Sequence, residues 1–227
     1  MRLRAAIFDL DGTLVDNMAF HARAWSALFA RLGVQVPEQR FAVELAGRKN
    51  EEIFPLLLGR PLPAAEMAAL AEEKERSYQA AYAPALAPVA GLNALLARLR
   101  EAGLRLAVAT AAPAGNRDLV LDGLALRSSF EQVIGAEHAA RGKPAPDIFL
   151  AAAAALRVEP GACVAFEDAP NGVRAARAAG MQCCALTTSA DAAALREAGA
   201  QYVVPDFTAL PRPLSEALFG PSGTSGP

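Results

Sequence analysis

Two carboxylates stand at the end of the apolar run Ala5-Ala6-Ile7-Phe8, where Asp9 and Asp11 bracket Leu10 and lead into Gly12-Thr13. Side chains two apart leave a strand in the same direction. So close a pair cannot stay doubly ionised cheaply without a cation or a shared proton. A hard cation such as Mg²⁺ would resolve the conflict. Alternatively, one acid serves as nucleophile or metal ligand while the other carries protons. The competing reading is a strand followed by an ordinary Asp-Gly turn.

Further strand ends carry similar chemistry. Cys163-Val164-Ala165-Phe166 delivers Glu167 and Asp168, and Arg105-Leu106-Ala107-Val108-Ala109 delivers Thr110. With Asp9, the later acids make an oxygen-rich set of the kind Mg²⁺ prefers. Thr110, followed by Ala111 and then Asn116, offers a hydroxyl and nearby backbone N–H groups to a phosphate. Lys143 stands before Pro144, which keeps it out of the helical region and at a defined loop position. There it would offset charge on a transferring phosphoryl group, or would be a surface lysine. Arg48 and Lys49 precede a helix start at Asn50, a place that suits either an anion or ordinary solvated charges. His21 is one turn before Trp25, and on residue type alone it is a packed side chain or a catalyst. Lys74 falls on an apolar helical stripe, so it either snorkels or reaches toward a cavity.

The elements that would position these groups follow from periodicity. Short continuous apolar runs read as strands of a parallel sheet buried on both faces, at residues 5–8, 105–110, 132–134, 163–166, 182–186 and 202–204. Helical patterns fill most of the intervals. Phe20, Ala24, Trp25, Leu28, Phe29 and Leu32 form a stripe with period near 3.6. Further helices are expected at about 38–45, from Asn50 with Pro55 kinking or shortening it, and over 64–83. Others are expected at 92–102, from an Asn116 cap to 124, before Val158, over 170–180 and over 190–198. Residues 17–84 thus read as an all-helical insertion, with hinges near 15–17 and 84–89. Residues 1–16 and 85–211 form the α/β core, and 212–227, rich in Pro, Gly and Ser, reads as a disordered tail. The insertion would close over the strand ends and exclude water.

Composition sets outer bounds. The chain has 227 residues, 53% of them hydrophobic and 20% charged, which is enough for a substantial core. A formal net charge of −2 gives no reason to expect nucleic acid or an anionic membrane as a partner. The sequence lacks a long uninterrupted apolar stretch, so no transmembrane helix is expected. A strand so near the N-terminus leaves no room for a signal peptide. Cys163, Cys183 and Cys184 are not in zinc spacing. They fit a reducing, cytoplasmic setting.

Phe8-Asp9-Leu10-Asp11-Gly12-Thr13 resembles the first motif of the haloacid dehalogenase-like phosphotransferases, and Thr110, Lys143 and Glu167-Asp168 match the later motifs in order. The resemblance covers residues 5–210. It implies a Rossmann-like parallel-sheet core with an inserted all-helical cap. It also implies Asp9 as nucleophile, Asp11 as acid/base, and Thr110 and Lys143 on the phosphoryl group. Mg²⁺ would be held by Asp9, Asp168, Glu167 and the backbone carbonyl of Asp11. Within the family the chain is most similar to the β-phosphoglucomutase branch and its phosphatase relatives. The residues that carry this are His21-Ala22-Arg23-Ala24-Trp25, Gly142-Lys143-Pro144-Ala145-Pro146-Asp147 and Phe166-Glu167-Asp168. There, the His and a cap Lys, matched by His21 and Lys74, position the acid/base and substrate. The mutases carry a cap-loop Arg where this chain has Asn50, with Arg48 two residues earlier. Two extra residues also separate Thr110 from Asn116.

The expected activity is Mg²⁺-dependent hydrolysis of a small phosphate monoester, a sugar phosphate, by a monomer. The alternative is a β-phosphoglucomutase-type mutase. A catalytically silent phosphate-binding module is the third reading, disfavoured by the intact acids and lysine.

Overall fold

A computed structural model describes residues 2–37 and 48–221. The six strands are β1 (Ala5–Phe8), β2 (Arg105–Ala109), β3 (Gln132–Ile134), β4 (Cys163–Glu167), β5 (Gln182–Leu186) and β6 (Tyr202–Val204). All pair in parallel, in the order β3-β2-β1-β4-β5-β6. This is the doubly wound arrangement of an α/β protein, in which strand order reverses beside β1. Phe8 registers with Val108 on one side and Phe166 on the other. The residues just past β1, β2 and β4 therefore reach the same edge of the sheet.

Alternation along the strands divides the core. Phe8, Leu106, Val108, Val164, Phe166 and Leu186 face one layer, with Phe8 and Phe166 stacked at 4.6 Å. Helix α4 (Leu92–Glu101) covers that face with Leu92, Leu95, Leu96 and Leu99. Ile7, Ala107, Ala109 and Ala165 face the other, under α6 (Asp147–Ala155) and α7 (Pro170–Ala178). Small residues on that side let the helix backbones approach closely. Helices α5 (Ala114–Gly123) and α8 (Ala192–Glu197) complete the β–α alternation.

Between β1 and α4 stand α1 (Met18–Arg31), α2 (Asn50–Leu58) and α3 (Ala64–Tyr82). They have their own hydrophobic cluster, built on Trp25, Leu28, Phe29, Phe54 and Leu70. Pro55 lies inside α2, which closes at the left-handed Gly59. The chain leaves the sheet and returns to it along adjacent paths. Val15 bridges Pro88, and the Val89 N–H donates to the Leu14 carbonyl at 2.9 Å.

Two expectations need correction. Residues 212–219 are not a tail but helix α9 (Arg212–Phe219), whose Leu214 and Leu218 are fully buried against the sheet. The Pro- and Gly-rich composition masked an apolar pair at i, i+4 spacing. Residues 222–227 lie outside the described residues, as does the helix expected at 38–45. Asn116 is not the cap of α5; Pro113 holds that place, and Asn116 is buried within the first turn. Its side chain is thereby free to face the helical segment. Among the described residues, no helix is long and apolar enough to cross a membrane.

Candidate active site

The Asp9 backbone continues the sheet, its N–H donating to Phe166 at 3.0 Å, and the side chain emerges in a cleft of about 720 Å³ counted to its open mouth. Of the residues singled out above as candidates for catalysis, binding or metal ligation, all but Lys49 line this cleft: Asp9, Asp11, His21, Trp25, Arg48 and Asn50; Lys74, Thr110, Ala111 and Asn116; and Lys143, Glu167 and Asp168. Lys49 points elsewhere. Its Nζ donates to the Ala139 carbonyl at 2.5 Å.

The two leading acids have separate partners. Asp9 Oδ1 accepts from Lys143 Nζ at 2.6 Å, and the same ammonium reaches Glu167 Oε1 at 2.5 Å. Burial works against the charge of Lys143, but Asp9 and Glu167 outweigh it and hold the ammonium above its ordinary pKa. Asp9 itself is pushed up to about 7, chiefly by burial, which Lys143 offsets only in part. Burial likewise raises Asp168, with Glu167 and Asp9 adding to the effect.

Asp11 turns instead to the helical segment. Its Oδ1 accepts from Asn17 Nδ2 at 2.6 Å and lies 3.5 Å from His21 Nε2. Burial tends to raise Asp11, yet His21, Asn17 and Lys74 prevail and hold the carboxyl below its usual range. Lys74 Nζ is 2.8 Å from His21 Nδ1. An ammonium there makes Nδ1 the acceptor, so Nε2 carries the proton and points it at Asp11. Burial, and then Lys74, lower the His21 pKa, which keeps the ring neutral. The imidazole stacks on Tyr78 at 3.7 Å.

The acids fit a divalent cation. One oxygen from each of Asp9, Glu167 and Asp168 lies within 4.8 Å of the others, and Asp168 Oδ2 is a buried atom with no hydrogen-bond partner. A Cβ on Gly12 would come within 2.0 Å of that oxygen, and Gly12 has φ +77°. Only glycine leaves this space open. The Asp11 carboxylate is outside the set. Glu167 has other work too, since Oε2 accepts the backbone N–H groups of Asp168 and Ala169 ahead of α7. A Cβ on Gly172 would meet its carboxyl carbon at 1.9 Å. On this geometry Glu167 orders Lys143 and the turn, while Asp9 and Asp168 offer the freer oxygens. Thr110 is buried, and its Oγ1 accepts from the Ala112 N–H at 3.0 Å.

Several participants were not legible beforehand. Asn17 also accepts the Gly12 N–H at 3.0 Å and donates to Tyr78 Oη at 2.6 Å. Glu75 enters the cleft beside Lys74, and Thr13 Oγ1 donates to Asp168 Oδ1 at 3.3 Å. The only advance signal for Asn17 was its place at the start of α1.

A family model described as "haloacid dehalogenase-like hydrolase" matches residues 3–180. The validoxylamine A 7'-phosphate phosphatase of Streptomyces hygroscopicus subsp. limoneus is 34% identical, over 86% of this chain and 91% of that protein. The fructose-1-phosphate phosphatase YqaB of Escherichia coli is 32% identical, over 79% of this chain and 94% of its own length. Among solved structures, the β-phosphoglucomutase of Clostridium difficile superposes with a TM-score of 0.82 at 24% identity, covering 96% of this chain and 97% of that one.

Proposed function

Because this chain belongs to the haloacid dehalogenase-like hydrolases, we propose that it is a Mg²⁺-dependent phosphatase of small phosphate monoesters, sugar phosphates among them. The observation that carries this reading is the division of labour between the first two acids. Asp9 is paired with Lys143 beside the unpartnered oxygen of Asp168, whereas Asp11 lies 3.5 Å from Nε2 of a neutral His21. This supports reading one acid as the nucleophile and the other as the proton carrier. Two relatives whose names are phosphatases of phosphorylated sugars or sugar-like compounds support the substrate class.

An Asp9 carboxylate oxygen attacks phosphorus. The bond to the ester oxygen breaks and that oxygen keeps the electron pair; Asp11, whose carboxyl the free site holds below its usual range, must enter this step protonated to give that oxygen its proton. Water then attacks the aspartyl-phosphate, Asp11 takes its proton, and phosphate leaves with Asp9 restored. Lys143 and the Thr110 hydroxyl offset charge on the transferring oxygens. When bound by Asp9, Asp168 and the Asp11 backbone carbonyl, with Glu167 alongside, Mg²⁺ supplies a divalent charge that stabilises the same oxygens. His21 and Lys74 orient Asp11, and Trp25, Arg48, Asn50, Ala111 and Asn116 contact the rest of the substrate. Residues 17–84 act as a cap that excludes water, over a core of residues 1–16 and 85–211.

The test is phosphate release from a panel of esters with and without Mg²⁺. Turnover that needs the metal and vanishes in Asp9→Asn, with the circular dichroism spectrum retained, is expected. Retained activity in that variant would refute the nucleophile assignment. Accumulation of glucose 6-phosphate from β-glucose 1-phosphate plus a bisphosphate primer, without free phosphate, would mean a mutase.

A further inference from the structure

Glu75 is a carboxylate on the wall of a cleft proposed to take a dianion, a sign that phosphate binding alone does not call for. Lys74 Nζ donates to both its oxygens, at 3.0 and 3.1 Å, and the two side chains are only 3% and 11% exposed. Oε2 also accepts from Asn116 Nδ2 at 2.8 Å, across the seam between α3 and α5. Among the described residues, the one donor to Oε1 besides Lys74 is Asn50 Nδ2, at a loose 3.5 Å. A carboxylate has about four acceptor positions, so Oε1 retains room for a strong donor from a ligand. The consequence is electrostatic as well. The cationic charge that Lys74 brings to this side of the cleft is matched within the protein and is not left over for a ligand anion.

We propose that Glu75 is a specificity-determining residue: it accepts a hydroxyl of the leaving group and disfavours a second phosphate there. This rests on the phosphatase reading above and names its substrate class as phosphorylated polyols or sugars with an uncharged, hydroxyl-bearing remainder. Rejection by a fixed like charge is a common route to selectivity. A second phosphate brought beside Glu75 would be repelled at short range in a poorly hydrated wall. A hydroxyl would satisfy the under-used oxygen.

The experiment compares a hexose monophosphate with the bisphosphate of the same sugar, alongside p-nitrophenyl phosphate, in the wild type and in Glu75→Gln, all with Mg²⁺. The wild type should favour the monophosphate over the bisphosphate by at least about tenfold in kcat/KM. In Glu75→Gln that ratio should shrink by about tenfold or more, whatever happens to the absolute rates. A structural role alone would lower both esters together and leave the ratio unchanged, which would overturn the assignment. So would a wild type that prefers the bisphosphate, a result that needs no folded variant. If the wild type hydrolyses p-nitrophenyl phosphate but shows no monophosphate preference, only the inference about Glu75 falls. If it hydrolyses none of the three, the phosphatase reading falls with it.

Discussion

His21 Nε2 lies 3.5 Å from Asp11 Oδ1 while Nδ1 of the same ring faces Lys74 Nζ at 2.8 Å. The ring therefore stands between a cation in α3 and the acid that follows β1. Replacing His21 by Asn removes the ring that separates Asp11 from Lys74. We expect kcat/KM to fall about a hundredfold, the low end of what a proton-transfer group contributes. The fall should lie mainly in kcat, as steady-state assays against pH would show. An unchanged kcat would separate His21 from the proton path.

Asp9 makes the metal-free protein sensitive to pH. Its folded pKa is raised from 3.8 to about 7 by burial. The contribution to stability is therefore complete below the unfolded value and is lost as pH rises through the folded one. Melting temperature measured in chelator should fall from about pH 5 to about pH 8, and the Asp9→Asn protein should show a shallower slope, the raised Asp168 supplying the remainder. Because the metal needs the ionised acid, Mg²⁺ should bind about tenfold more tightly at about pH 8 than at about pH 6. Calorimetric titration at the two pH values would check the ratio.

Lys143 is the shared counter-charge of Asp9 and Glu167. Its removal in Lys143→Ala leaves buried carboxylates uncompensated, and breaking such a pair costs about 3–5 kcal/mol. Denaturant titration should show a loss of that order without metal, and a smaller one with Mg²⁺. Turnover should fall at least about a hundredfold in either case.

The glycines beside the acids are a separate test. Gly12→Ala sets a methyl against Asp168 Oδ2, and Gly172→Ala sets one against the Glu167 carboxyl. Both should weaken Mg²⁺ binding by about tenfold to a hundredfold, like the loss of a group that orients a metal ligand. Binding within twofold of the wild type would show that the acids can move aside.

Glu52 clasps the loop that carries Lys143, its Oε1 accepting the Gly142 N–H at 3.1 Å from the start of α2. Glu52→Gln weakens a charge-assisted hydrogen bond of partial exposure, worth about 1 kcal/mol. Through displacement of the Lys143 loop, kcat/KM should fall by up to about fivefold, with the melting temperature lower by no more than about 2–4 °C. A drop in stability with unaltered kinetics would assign the clasp to folding alone.

The strand-end acids, Thr110 and Lys143 were legible because each follows an apolar run or a proline, both local signals. Their convergence follows from strand order, with β1 flanked by β2 and β4. What escaped notice depends on pairing across long stretches of chain. Asn17 meets Tyr78, Glu75 meets Asn116, and Glu52 meets Gly142. No spacing rule brings such residues together before the fold does. Glu167 shows what residue type leaves out, since besides standing with Asp9 and Asp168 it also engages Lys143 and the turn before α7. Helix α9 was hidden by composition, although prolines flanking Arg212 are themselves a helix-start signal.

The bridge between Val15 and Pro88 sets departure and return side by side. The chain leaves the sheet and re-enters it at one place, so no strand has to be re-threaded if the intervening material is exchanged, although contacts such as Glu52 to Gly142 and Glu75 to Asn116 would have to be remade. A foreign segment with equally close ends could be spliced at the same two positions. The recipient would keep Asp9, Lys143 and Asp168 but lose Asn17, His21 and Lys74 from around Asp11, so any exchange has to bring equivalents of those three with it.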